Sequence, residues 1–384
     1  MQEAPPQHPL IEPATAAADA PTGSRPVTGM TPAVDPADAE PSGAQPVAAH
    51  RFSVAPMMDY TDRHFRVLFR QISRRSLLYT EMVVAQALHH CQQAGAGGDE
   101  RARQRLERLI GFDPCEHPIA LQVGGDDPVL LAEAARIAAD RGYDELNLNV
   151  GCPSEKVQKG RFGACLMAEP DQVARCVAAM AAASPLPVTV KHRIGIDARD
   201  SFEELLAFVD RVAAAGSRRF SVHARKAWLE GLDPKQNRTI PPLRHDLVLR
   251  LKQERPQLTI ELNGGLQTLA DCLPPLQQLD VVMVGRAAYD HPLRWASVDR
   301  DLFGEDHREP ATASEVVRGL IPYAEHWCSG GGRLWSIARH LVQVVEGVSG
   351  ARHWRRRLGQ AAGQRTAGPE VLEAAARELE EHGL

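Results

Sequence analysis

The sequence predicts a (β/α)8 TIM barrel followed by a small helical domain. Three observations carry this. Eight short strand-like runs lie between residues 52 and 285. Amphipathic helical stretches separate them. After residue 310 the strand pattern stops and helical periodicity continues alone. A doubly wound open sheet is the alternative, but it would use fewer strands and usually a GxGxxG turn after the first one, which is absent.

The strand runs, in order, are "FSVA" at 52, "LLYTE" at 77, "IALQV" at 119, "ELNLNV" at 145, "PVTVKH" at 187, "RFSVH" at 219, "LTIELN" at 258 and "VVMVG" at 281. They read as near-continuous apolar strands, which alternate with helices where a parallel sheet is covered on its faces. Between them, "DPVLLAEAARIAADRG" at 127 and "SFEELLAFVDRVAAAG" at 201 have helical period. The second opens on Ser201 with Glu204 three residues on, and it closes on Gly216, so it carries a start and a stop signal. Beyond 310 the helical stretch breaks at Gly330–Gly332 and Ser349–Gly350, and a last helix begins near 369. The chain thus divides into residues 1–50, 51–309 and 310–384.

Residues 1–50 hold ten of the 28 prolines and no aromatic residue. Such a segment cannot bury enough apolar surface to offset its chain entropy, so a disordered Pro/Ala-rich tail is expected. It carries six acids against one base, which accounts for the formal charge of −5 and leaves residues 51–384 neutral. Any polyanion site must then come from local clustering. Residues 333–365 supply such a cluster, with seven arginines (333, 339, 352, 355, 356, 357, 365) against Glu346. That pattern fits backbone contacts to a folded RNA, or else a solvated basic helix face. The seven cysteines form no CxxC pair and fit no metal template, and their odd number reads as reduced thiols. No secretory signal and no apolar run long enough to span a membrane is present, so a cytoplasmic protein without metal is expected.

In a (β/α)8 barrel the active site lies at the C-terminal ends of the strands. Those ends are unusual here. The first strand runs into Pro56, Met57 and Met58, the third into Gln122, the fourth into Asn149 and Cys152. The fifth ends in Lys191 and His192, the sixth in His223, the seventh in Asn263, Gly264 and Gly265, the eighth in Gly285 and Arg286. The glycines allow close backbone approach to an anion, and Arg286 adds a guanidinium that pairs with phosphate. Gln122 offers a donor and an acceptor to the edge of a planar ring, and Lys191 calls for an anionic partner. A flavin mononucleotide (FMN) meets these demands. Cys152 then has a use: reducing an electron-poor C=C bond takes a hydride at one carbon and a proton at the next, and a thiol over the opposite face can give the proton. The plainer fate of a cysteine is a small buried hydrophobe.

The stretches "APMMDYTDRHFR", "LYTEMV", "LQVGG", "NLNVGCPSEKVQKGRFGACLM", "VKHRIGID", "VHARKAWLEGLDPKQNRTIPPL", "NGG", "MVGRAAY" and "GARHWRRRL" resemble the tRNA-dihydrouridine synthases, most closely their A subfamily. The likeness spans about 52 to 358 and leaves out the proline-rich tail and the last residues. The resemblance implies FMN reduced by NADPH and conversion of uridine to 5,6-dihydrouridine at tRNA D-loop positions 20 and 20a. It implies hydride transfer to C6 and proton transfer from Cys152 to C5. It places FMN on Pro56, Met57, Met58, Gln122, Lys191, His223, Asn263, Gly264, Gly265, Gly285 and Arg286. It assigns substrate contact to Asn149, and tRNA contact to Lys235, Arg238, Arg352 and Arg355. A monomer is expected. Two other readings stay open: an FMN barrel acting on a small molecule, for which the arginine-rich helical region has no use, and a non-catalytic RNA-binding protein, for which Cys152 and Lys191 have none.

Overall fold

The computed structural model describes residues 50–384 except 306, 308 and 347–349. The tail expected over 1–50 lies outside the described residues but for His50. Nine strands form a closed parallel sheet: β1 (Phe52–Val54), β2 (Leu77–Tyr79), β3 (Val83–Val84), β4 (Ile119–Gly124), β5 (Glu145–Val150), β6 (Val188–Arg193), β7 (Arg219–His223), β8 (Thr259–Asn263) and β9 (Val281–Val284). Neighbours run β2-β1-β9-β8-β7-β6-β5-β4-β3, and β2 also pairs with β4. β2 and β3 therefore share one position of an eight-position TIM barrel. The run expected as a single strand at 77–81 stops at Tyr79, and the Glu81 carboxylate accepts the Asp59 backbone N–H.

The strands are less uniformly apolar than their sequences suggested. From β5 to β8 they alternate, and alternate side chains face opposite sides of a sheet. Leu146, Leu148, Val150, Val190, Phe220, Val222 and Leu262 are fully buried under the surrounding helices. Each such side chain is worth about 1.5–3 kcal/mol relative to exposure. The helix Phe202–Ala214 shows how the cover is built. Its predicted capping box forms, with Ser201 Oγ accepting the Glu204 N–H, and Phe202, Leu205, Phe208, Val209 and Val212 are its buried residues. His192 belongs to this outer layer. It packs 5.1 Å from the Phe208 ring and donates Nδ1–H to the Arg193 carbonyl. Burial lowers its pKa to about 4, so it is neutral. As a strand-end candidate it is thus a packed core residue, on the face away from the barrel axis.

Beyond the barrel lie the helices Ala313–Gly319, Ile321–Ser329, Trp335–Leu341, Ala351–Ala362 and Glu370–Glu381. The breaks fall where glycines take positive φ, at Gly331 (83°) and Gly350 (85°). This region packs on the barrel helix Arg63–Ile72. Tyr323 Oη lies 2.9 Å from His64 Nδ1, and Arg339 Nη2 donates to Asp62 Oδ2 at 2.5 Å while Asp62 caps that barrel helix. Arg339 is therefore committed to the barrel. Arg357 pairs with Glu378 at 3.3 Å. Arg333, Arg352, Arg355, Arg356 and Arg365 have no carboxylate partner among the described residues.

Candidate active site

The floor of the site is a buried charge cluster at the N-terminal end of the barrel. Arg219 on β7, with no exposure, donates to Glu145 Oε2 at 3.1 Å and to Glu261 Oε1 at 3.0 Å. Ser53 and Ser221 donate to Glu261, and Tyr79 and Thr189 to Glu145. Burial raises the Glu145 carboxyl, opposed by Arg219 and the donated hydroxyls. A barrel interior is usually filled by branched apolar side chains. Here buried Ala55, Leu77, Tyr79, Ala120 and Met283 form only a small apolar cluster beside the charges.

Above the floor, amides bridge the strands. Asn147 Nδ2 donates to Thr189 Oγ1 (2.9 Å), Gln122 Nε2 to Asn147 Oδ1 (2.8 Å) and Asn149 Nδ2 to Gln122 Oε1 (2.9 Å). Asn149 Oδ1 then accepts the backbone N–H groups of Gly151 (3.1 Å) and Cys152 (3.0 Å). This turn, closed by a side chain, aims the loop that carries the thiol. The Cys152 carbonyl accepts Ala164 N–H at 2.9 Å, and a Cβ at Gly163 would stand 2.5 Å from the same oxygen. Gly163, at φ 78°, thus lets the segment "GACLM" lie directly against the Cys152 loop.

The rim of the mouth is cationic. Lys191 Nζ donates to Asn263 Oδ1 at 3.2 Å and forms no ion pair among the described residues. Burial, then the nearby Arg193 guanidinium, lowers its pKa to about 8. Its side chain still reaches solvent, so the ammonium sits enclosed by protein on most sides and open toward the mouth. Arg225 and Arg238 are depressed by burial and by the charge of Arg286. Burial and the neighbouring cations hold His223 well below the ordinary histidine range, so it is neutral. Gly264 (φ 110°) lies over His223: a Cβ there would be 2.9 Å from His223 Cδ2. Gly265 (φ 83°) abuts Leu243 in the same way. Met57 follows β1 with its N–H held by Thr61 Oγ1 at 2.9 Å, and its sulfur lies beside Gly285. Pro56 is half-buried beside it and Met58 is exposed.

The structure thus brings Pro56, Met57, Gln122, Asn149, Cys152, Lys191, His223, Asn263, Gly264, Gly265, Gly285 and Arg286 to one end of the barrel. Arg238 joins them electrostatically, close enough to interact with Cys152 and Arg286. Lys235 is exposed at the start of the turn Gln236–Arg238. Arg352 and Arg355 are exposed on the helix Ala351–Ala362. Sequence reasoning missed Arg193. Its buried guanidinium donates to the carbonyls of Gly151 (2.9 Å), Lys226 (3.0 Å) and Asn237 (3.0 Å), tying three mouth loops together. Its parity with Lys191 was the available signal. A cleft of about 690 Å³ opens beside the Cys152 loop, between Pro153–Lys159 and Leu229–Pro234. Its carboxylates, Glu155, Glu230 and Asp233, set it apart from the cationic mouth.

The chain as a whole is similar to proteins of known kind. The profile of the dihydrouridine synthase (Dus) family matches residues 53–380. A tRNA-dihydrouridine(20/20a) synthase of Synechocystis is 55% identical over 323 residues, covering 84% of this chain and 92% of that protein. The proteins of the same name from Shewanella oneidensis and Pseudomonas aeruginosa are each 50% identical, over 84% and 83% of this chain and 92% of theirs. The matched span holds every strand-end residue described above, together with the helical region that packs beside the barrel, and the chain belongs to the dihydrouridine synthase family.

Proposed function

We propose that this protein reduces uridine to 5,6-dihydrouridine in tRNA, at D-loop positions 20 and 20a, with FMN as cofactor and NADPH as reductant. The observation that carries the reading is Cys152, on a loop whose backbone is held by Asn149 at a cation-rimmed mouth, in a chain whose relatives bear the name tRNA-dihydrouridine(20/20a) synthase. The residues present suit FMN. Gly264 and Gly265 take positive φ and lie too close to His223 and Leu243 for any side chain, so their backbone is uncovered by a Cβ, and Arg286, with no ion pair among the described residues, suits a phosphate. Lys191 has no ion-pair partner among the described residues and suits the anionic edge of a reduced ring. Gln122 retains one N–H and one lone pair beyond its two hydrogen bonds. Pro56, Met57, Met58, His223, Asn263 and Gly285 complete this contact set. Bound FMN would supply the hydride for C6 of the uracil.

Cys152 would donate the proton to C5 from the other side, and Asn149 would contact the base as well as hold the loop. Reaching a base in a folded loop requires its extrusion into the mouth. Lys235, Arg238, Arg352 and Arg355 would hold the phosphates around it, with residues 310–384 as the docking region beside the 51–309 barrel. No helix among the described residues is long and apolar enough to cross a membrane. We place the enzyme in the cytoplasm as a monomer. Incubating purified protein with FMN, NADPH and unmodified tRNA should give dihydrouridine at 20 and 20a on sequencing; reduction elsewhere, or none, defeats the proposal.

Two further results are expected. The free Lys191 ammonium loses its proton near pH 8, and an anionic ligand needs that proton restored. FMN affinity, followed by flavin fluorescence, should be level below pH 8 and then weaken by up to about tenfold per pH unit. In Lys191→Met it should be weaker and pH-independent; an unchanged slope rejects Lys191 as a ligand of the anion. Changing Arg352 and Arg355 together to alanine should weaken tRNA binding and lower the slope of log K against log salt by about 1 per arginine. An unaltered slope would show that this helix does not meet the RNA backbone.

A further inference from the structure

The hydrogen bonds that climb the barrel interior all run one way. Cys152 N–H donates to Asn149, Asn149 to Gln122, Gln122 to Asn147, Asn147 to Thr189, and Thr189 to Glu145. An amide side chain can turn end for end and still fill the same space, so geometry alone does not choose this direction. The direction is set at both ends: at the top the Gly151 and Cys152 N–H groups can only donate, and at the bottom Glu145 can only accept. Thr189 Oγ1 accepts from Asn147 and sends its own proton to Glu145 Oε1, 2.7 Å away, in preference to the Leu146 carbonyl at 3.4 Å. Glu145 receives Arg219, Tyr79 and Thr189 at once, and a carboxylate among donors can only accept.

We propose that Glu145 is a positioning residue for the reaction: its charge, at the closed end of the barrel, anchors the lower end of a one-way relay whose upper end holds the Cys152 loop. Were the three amides to turn together, the Asn149 NH2 would face the N–H groups of Gly151 and Cys152, donor against donor. The loop would lose its hold. Gln122 would then offer its remaining donor and acceptor in exchanged places. Thr189 and Asn147 have no exposure and Gln122 has 1%, so water cannot repair a broken link. The relay crosses from β6 to β5 to β4 and back to β5, so its parts are held by separate strands.

The part concerning Gln122 rests on the cofactor reading above; the part concerning the loop does not. The test compares Thr189→Val, which removes the hydroxyl at nearly constant volume, with Thr189→Ser, which keeps it. Hydrogen exchange of the 149–154 backbone is read by mass spectrometry on full-length protein without cofactor, and FMN affinity is measured alongside. In Thr189→Val the Gly151 and Cys152 amides should exchange about tenfold faster or more. FMN should bind about tenfold more weakly. Thr189→Ser should match the parent in both. Glu145→Gln, which leaves the Arg219–Glu261 pair intact, should behave as Thr189→Val and decides the matter if the valine variant does not fold. Equal exchange in the valine and serine variants overturns the proposal. A parent protein that binds no FMN would defeat the cofactor reading alone, because the exchange comparison needs no cofactor.

Discussion

Replacing Cys152 with alanine should lower turnover by about 100- to 10,000-fold, the usual span for a lost general acid. FMN and tRNA affinity should stay within about twofold, since the Asn149 turn grips the backbone of residue 152 and not its sulfur. Reduction of the flavin by NADPH should also be unaffected, because no proton from residue 152 enters that half-reaction. Single-turnover kinetics with prereduced enzyme separates the two steps. Loss confined to the tRNA step supports proton delivery by the thiol. Full activity in Cys152→Ala would reject it. Loss in both steps would mean that the substitution disturbs the mouth as a whole.

Arg219→Met should be the most destabilising single change at the barrel floor. It leaves Glu145 and Glu261 buried without their shared counter-charge, and breaking a buried pair in this way costs about 3–5 kcal/mol. The deficit has a pH signature. Burial already raises the Glu145 carboxyl, and without the guanidinium that opposes this it should titrate higher still. A group raised in this way keeps its full contribution below the unfolded value and loses it as pH rises through the folded one. The gap to the parent protein should therefore be smallest near pH 5 and widest at pH 7 and above. Thermal unfolding across that range measures it. A gap independent of pH would attribute the loss to packing rather than to charge.

The eight strand positions were legible because each strand pairs a short apolar run with a helical period that follows it. The mouth was legible because Cys152, Lys191, Gly264 and Arg286 all come at strand ends. What could not be read was which face each strand turns inward. "ELNLNV" alternates strictly, yet its Glu145, Asn147 and Asn149 matter only once β4, β6 and β7 lie beside it. His192 and Arg193 show the same limit. They are adjacent in sequence, but one packs under Phe208 and the other binds three loop carbonyls. The basic stretch after 333 read as a cluster for an RNA backbone or a solvated helix face, whereas Arg339 is bound to Asp62 across a helix pair that no local pattern announces.

The Arg219 cluster also bears on how the barrel comes together. Its members sit on β1, β2, β5, β6, β7 and β8, so no contiguous half of the chain contains them all. A fragment ending after β5 would carry Glu145 without Arg219 or Thr189. Its complement would carry Arg219 with only Glu261. Each would have to leave a charge short of partners or keep its interior wet. Sealing the cylinder and neutralising its base are thus one event, and this barrel is suited to folding all at once rather than by docking two finished halves.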